Sequence, residues 1–397
     1  MAAIIRRPSA QRAEELLRDL VSCPSAFPNE ESVALRLSTE LRDRQFEVTM
    51  VEFEKHRFNL YAQLKNEPPR TLFFGHMDTV PRYDGWRTEP FELTVKGDRL
   101  YGLGAWDMKA GLAAMIEAAS FPTRHSPSIG ILIMGDEENI SKGAWHFVNN
   151  EGRYPIVTTN IGLAISGEPP IYRRADADGI DGPELVTVGR SGRGVITIDI
   201  MGRSAHGSRP EDGINALEEG AKIITAITTM GKKSHELLGT ESIYTRGVEG
   251  IAKGFSVPDT ARIEIEVVNT ASDLEDVRRR LDSMICNMRK DGRLTEGLRA
   301  GVEIKPRETP YMQPYVTDLG NTTVQRALGA VTEVLGRPAN LIYARSIADD
   351  NVIANSSGWP VLRVGPAGGG AHAPNEWVSR SSLEETIEVY YAIMRKQ

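Results

Sequence analysis

Short apolar runs that stop at an acid or a histidine recur along this chain, and nothing else in it constrains the fold as much. Ile129–Met134 (IGILIM) is the clearest: it reads as a buried strand, and Asp136, Glu137 and Glu138 follow directly. Phe73-Phe74-Gly75 leads to His76 and Asp78, and Leu103-Gly104-Ala105-Trp106 leads to Asp107. Leu163–Gly167 leads to Glu168, and the glycine-rich stretch after Val364 leads to His372. Between these runs lie helical patterns. Ala13, Leu16, Leu17, Leu20 and Val21 recur at helical spacing, Asn29 is placed to cap a second helix, and Leu112–Ala119 is small and apolar. Strands alternating with helices predict an α/β domain with a mixed, largely parallel sheet flanked by helices.

The texture changes near residue 186. Val195–Met201 and Ala261–Val268 alternate as half-buried strands do, Ala300–Lys305 is a further strand, and helices are expected over 213–230 and 274–289. A β-α-β-β-α-β order over this stretch suits a compact, ferredoxin-like α+β module. The α/β texture then returns, with helices at 322–335 and 382–394 and a strand at 360–364. A chain of 397 residues exceeds what one core usually organises. The expected domains are therefore 1–186 and 308–397 as two parts of one α/β domain, with 187–307 inserted between them.

Charge and cysteines narrow the function. Lys and Arg number 47 against 54 Asp and Glu, a net charge of −7, which argues against nucleic acid and anionic membranes as partners. It also means that a cation balancing the strand-end acids is not a basic patch. Two distant cysteines, Cys23 and Cys286, predict buried free thiols rather than a disulfide or a cysteine-rich zinc site. The N-terminal stretch has no signal-like apolar core, and no run approaches the about 18 apolar residues of a membrane span. A cytoplasmic protein is expected.

In open α/β sheets, ligands sit beyond the carboxyl ends of the strands. Placing His76, Asp107, Glu137, Glu138, Glu168 and His372 there gathers two imidazoles and four carboxylates. Singly, His76 reads as a surface or core histidine, and Glu137-Glu138 as a solvated pair at a helix start. Five strand-end sites in one chain point elsewhere. The set is too acidic to stand alone, and it has the nitrogen and oxygen ligands that zinc accepts, so two divalent metal ions are expected.

The segments GHMDTVP, GLGAWDMKAG, GDEENISKGA, SGEPP, GRSAHGSRPEDGINA and GGGAHAPNE, in that order across the chain, resemble the co-catalytic zinc exopeptidases and aminoacylases. That family includes carboxypeptidase G, succinyl-diaminopimelate desuccinylase and acetylornithine deacetylase. The resemblance implies a metal-dependent hydrolase cleaving an amide C–N bond of a small molecule. It implies that Asp107 bridges two metals, that His76 and Glu168 complete one site, and that Glu138 and His372 complete the other. Glu137 is then the general base, and Asp78 orients the His76 imidazole. His206, on the inserted lid domain, stabilises the oxyanion, often across a homodimer formed through that domain. Zinc is the implied metal; manganese or cobalt can replace it, and some members use a single ion.

Substrate contacts depart from the family pattern. Two positions at which relatives carry a substrate-binding asparagine and arginine hold Phe255 and Val268, and Val352 stands where a second arginine is usual, beside Asp350. Bidentate arginine contacts are selective for carboxylates. Their loss predicts a more apolar substrate, or an anchor supplied by Arg345, Arg193 or Arg190. Two other functions stay open on sequence: an aminohydrolase releasing ammonia, and a non-catalytic binding protein on the same scaffold.

Overall fold

The structure is a computed structural model that describes residues 7–64, 69–121, 128–155, 161–169 and 182–396. It divides into two compact units. One comprises Met1–Gly189, Val316–Ile342 and Ala348–Gln397; the other comprises Arg190–Tyr315 and Tyr343–Ile347.

In the first unit the centre is a mixed sheet. Thr71–His76 pairs in parallel with Ile129–Met134 on one side and Leu163–Ser166 on the other. Val361–Arg363 continues in parallel beside Leu163–Ser166. Each residue of Thr71–His76 and Ile129–Met134 is buried, which is why these strands read as continuous apolar runs rather than alternating ones. An antiparallel hairpin, Glu47–Glu54 with Arg57–Gln63, extends the sheet past Ile129–Met134. The sequence reading did not anticipate it. The class is α/β, as expected.

The helix Ala110–Ala119 is buried along its whole length, because alanines and glycine let it lie close against the sheet. Gly111 is required there: a Cβ would stand 2.0 Å from the carbonyl oxygen of Gly167. Ala10–Val21 buries Ala13, Leu16, Leu17, Leu20 and Val21, the stripe read from the sequence. The next helix is Glu31–Asp43; Glu30 rather than Asn29 occupies the cap position, and its carboxylate is engaged elsewhere. A small second sheet joins Gly368–Gly369, Trp377–Ser379, Arg99–Tyr101 and Thr94–Lys96.

The second unit is a four-stranded antiparallel sheet in the order Ser242–Glu249, Thr260–Asn269, Gly192–Met201, Arg299–Ile304. Helices Ala216–Thr228 and Leu274–Lys290 contribute Ile223, Ile227, Leu281 and Ile285 to a core shared with Ile196, Ile198, Ile263 and Ile265. Asn215 and Asp273 cap the two helices by accepting backbone N–H bonds. The compact units divide at Gly189/Arg190 and Tyr315/Val316, and Tyr343–Ile347 also belongs to the second.

Neither cysteine is buried: Cys23 is half-buried and Cys286 exposed on the polar side of its helix, which corrects the buried-thiol expectation. No helix among the described residues is long and apolar enough to cross a membrane.

Candidate active site

The parallel strands set the site by their ends. His76 is the last residue of its strand and pairs in register with Met134, so Gly135–Glu138 leave the sheet beside it. Ser166 ends the next strand, two residues before Glu168.

His76 Nδ1 lies 3.0 Å from the Asp78 carbonyl oxygen. A carbonyl only accepts, so Nδ1 carries the proton and Nε2 presents its lone pair. That lone pair faces another acceptor, Asp107 Oδ1, at 3.3 Å. Two acceptors at that distance need a cation between them, a metal ion or a proton on Nε2; burial would lower the His76 imidazole, but Asp107 and Asp78 hold it well above its ordinary value. Across Asp107, the other oxygen lies 3.4 Å from His372 Nε2, and the same nitrogen is 2.9 Å from Glu138 Oε2. Ligand atoms of His76, Asp107 and Glu138 all fall within 4.8 Å of one another, a spacing that can hold a metal ion. His372 is 52% exposed and leaves the cluster open to solvent on its side.

Electrostatics shows the same demand. Burial would raise the Asp107 carboxyl, but the neighbouring His372 and His76 imidazoles outweigh it and hold it well below the usual range. Contacts to Asp107 and Glu138 push His372 up to about 11. Burial, and then the neighbouring Glu168, push Glu137 well above the ordinary carboxylate range. Burial raises Glu138 to about 7. Asp349 is buried as well, and burial pushes it up to about 8. Carboxylates crowd here beyond what the imidazoles can balance.

The structure shows how Asp107 is held. Gly104, at φ 71°, opens a wide turn over Ala105–Lys109. Glu376 accepts N–H bonds from Gly104 at 2.7 Å, Trp106 at 2.8 Å and Asp107 at 2.9 Å. Lys109, closing the turn, donates Nζ to the Leu20 and Cys23 carbonyls, both at 2.9 Å. Sequence reasoning missed Glu376; the signal was an acid four residues after His372 in HAPNE.

Asp78 does more than face His76. Its carboxylate is 3.5 Å from His76 Nδ1, but it accepts the N–H groups of Glu137 at 3.2 Å and Glu138 at 3.0 Å. It therefore fixes the start of the acidic loop as well as the imidazole. Asp136, the first of the three consecutive acids, does not face the cluster. Arg57 donates to it at 2.6 Å and to Glu30, all three side chains buried. The charge that holds Asp136 is thus a guanidinium from the hairpin.

Glu168 stands outside the 4.8 Å group. Both its oxygens are bound by the buried guanidinium of Arg363, at 2.5 Å each. Arg363, too, was missed; an arginine inside the apolar run VLRV was the available signal.

His206 lies in the second unit and is exposed. The Ser208 N–H donates to its Nδ1 at 3.2 Å, so Nε2 carries the proton and is a donor. Phe255 is 94% exposed. Val268 pairs in register with Ser242 and Arg193, while Val352 is buried in the helix Asp349–Ser357. Of the three arginines considered as anchors, Arg193 bonds Glu266, Arg345 bonds Thr240 O and Ser242 Oγ, and Arg190 bonds Ser346 Oγ. His56 is exposed and His146 half-buried, neither near a strand end of the site, and His125 lies outside the described residues.

Comparison with known proteins follows the same lines. Residues 72–396 match the model of peptidase family M20/M25/M40. The chain is 24% identical over 389 residues to the succinyl-diaminopimelate desuccinylase of a Nitratiruptor species, covering 96% of this chain and 98% of that protein. It is 27% identical over 389 residues to the enzyme of that name from Anaplasma marginale, covering 95% and 94%. In fold it is similar to a tripeptidase from Staphylococcus aureus, at a TM-score of 0.76 and 22% identity over 98% of this chain and 99% of that one. An M20 family metallo-carboxypeptidase from Sulfolobus solfataricus aligns at a TM-score of 0.71 and 16% identity, over 97% and 98%. With the match spanning most of its length, the chain belongs to peptidase family M20/M25/M40 and is a hydrolase of amide bonds.

Proposed function

We propose that this hydrolase cleaves an amide bond of a small N-acyl amino acid, short peptide or related amide, with divalent metal held by His76, Asp107, Glu138 and His372 and with Glu168 beside them. The observation that carries the reading is the opposed pair of acceptors, His76 Nε2 and Asp107 Oδ1, at 3.3 Å. Zinc suits this nitrogen and oxygen donor set, and manganese or cobalt could take its place. Such an ion acidifies a water molecule and polarises a carbonyl. Glu137, next to the cluster but outside it, takes the water's proton and returns it to the leaving amine. Asp78 keeps Glu137 and Glu138 at their stations through their N–H groups. His206, with Nε2 as donor, meets charge developing on the substrate oxygen. The protein works in the cytoplasm as a homodimer formed through its lid unit, residues 187–307 in the sequence reading.

The substrate is not gripped by the family's arginines at 268 and 352. Hydrolysis profiled across N-acyl amino acids, dipeptides and aromatic amides tests this: turnover is expected to favour apolar or aromatic amides, and fast turnover of simple N-acetyl amino acids would overturn it. Release of ammonia instead of an amine and an acid would mark an aminohydrolase. Chelation is expected to abolish activity, and added zinc, manganese or cobalt to restore it. Glu137→Gln should keep its metal content yet lose about 10²–10⁴-fold in kcat; wild-type turnover in that variant would remove Glu137 from the reaction.

A further inference from the structure

Arg363 ends the strand Val361–Arg363, in register with Ser166 of the parallel strand that leads to Glu168. Its side chain is 1% exposed. Nη1 and Nη2 donate to Oε1 and Oε2 of Glu168 at 2.5 Å each, while Nε and Nη2 reach the two oxygens of Asp350 at 3.2 and 3.4 Å. A fork-to-fork pair of this kind is strong and fixed in direction. Burial denies either partner water as a substitute, so separating them is costly. Glu168 and Asp350 therefore share one cation that belongs to the chain, and both oxygens of Glu168 are already engaged by it. His76, Asp107 and Glu138, by contrast, have ligand atoms within 4.8 Å of one another, and Glu168 is not among that group.

We propose that Arg363 makes the metal cluster unequal. The chain holds one divalent ion tightly through Asp107, Glu138 and the imidazoles, and a second only weakly, because the second must share Glu168 with the guanidinium. The inference rests on the reading that the cluster binds divalent metal. Its physical basis is competition. An ion drawing on Glu168 must displace one of the two N–H···O bonds, or lie within a few ångströms of a buried positive charge, where like charges repel strongly. Arg363 is thus a positioning residue that sets metal stoichiometry; it is not placed against the reacting atoms.

The test is calorimetric titration of chelated, full-length protein with Zn²⁺ and with Mn²⁺, together with metal analysis after dialysis. Wild-type protein is expected to retain one equivalent and to bind a second at least about 10-fold more weakly. Arg363→Gln releases Glu168 and Asp350 from the guanidinium, and the second equivalent should tighten on the order of 10–100-fold. Glu168→Gln provides a second route should Arg363→Gln fail to fold: the tight equivalent should persist within about 3-fold, and the weak one should disappear. Two equally tight equivalents in the wild type would overturn the inference. So would a second equivalent that is unchanged or weaker in Arg363→Gln, or loss of the tight equivalent in Glu168→Gln. Absence of binding to any of the proteins would instead remove the metal reading itself.

Discussion

Glu376 shows how much of this site depends on one residue that supplies no ligand atom to the cluster. Three backbone N–H groups, of Gly104, Trp106 and Asp107, converge on its buried carboxylate. Amide donors left without an acceptor in a buried turn are costly, so the turn keeps its shape while Glu376 is present. Glu376→Gln places an amide NH₂ against one of those donors. Metal affinity is expected to fall on the order of 10–100-fold, the usual effect of removing a group that supports a ligand. Calorimetric titration of the variant checks this, and unchanged affinity would show that the turn holds Asp107 without it. At this scale the sequence was informative about residue type and silent about pairing. His76, Asp107, Glu138 and His372 were visible because each follows a strand-like run. Asp136 looked identical to its neighbours, yet its partner, Arg57, is 79 residues away on a hairpin strand. Glu168 looked like a ligand, and nothing local to it foretold Arg363, 195 residues on.

At the scale of elements, amphipathic helices were legible because burial imprints a period: Ala10–Val21 buries the residues its spacing singled out. The hairpin Glu47–Gln63 was not legible. EVTMVEFE has acids at both ends and in the middle, and its exposures are mixed, so no period of two stands out. Helix ends tell a similar story. The helix Arg380–Lys396 is capped from a distance by Asp98, which accepts from Ser379 Oγ at 2.6 Å and from Ser381 N at 2.9 Å. Burial would raise this carboxyl, but the Ser379 and Ser381 bonds outweigh it and hold it below its ordinary value. A depressed carboxyl stabilises the fold above the unfolded pKa, about 3.9, and that contribution fades as pH falls through the lower folded value. Asp98→Asn should therefore destabilise the fold near neutral pH. The gap to wild type should narrow as pH falls below about 4. Denaturant unfolding across pH measures it; a gap that does not narrow as pH falls would rule out this origin.

For the whole molecule, the division into two units follows from where apolar side chains find partners. The second unit closes its own core between one sheet face and two helices, through Ile196, Ile198, Ile223, Ile263, Ile265, Leu281 and Ile285. Residues 190–315 expressed alone are expected to unfold in one cooperative transition, with the circular dichroism of a mixed helix and sheet protein. A gradual, non-cooperative melt would show that this core is insufficient by itself. Such a unit can be inserted into an α/β domain because it brings its own buried surface.

The sequence alone determined the α/β class and the residue types that follow the strand ends. Those properties arise from local period and from the order of segments along the chain. Tertiary structure decided which charges meet a partner within the protein and which acceptors are left facing one another. Arg57 takes Asp136, Arg363 takes Glu168, and Glu376 holds the Asp107 turn, whereas His76 and Asp107 are left facing each other. Charge pairing depends on distances of a few ångströms between segments tens to hundreds of residues apart, and only the folded sheet sets those distances.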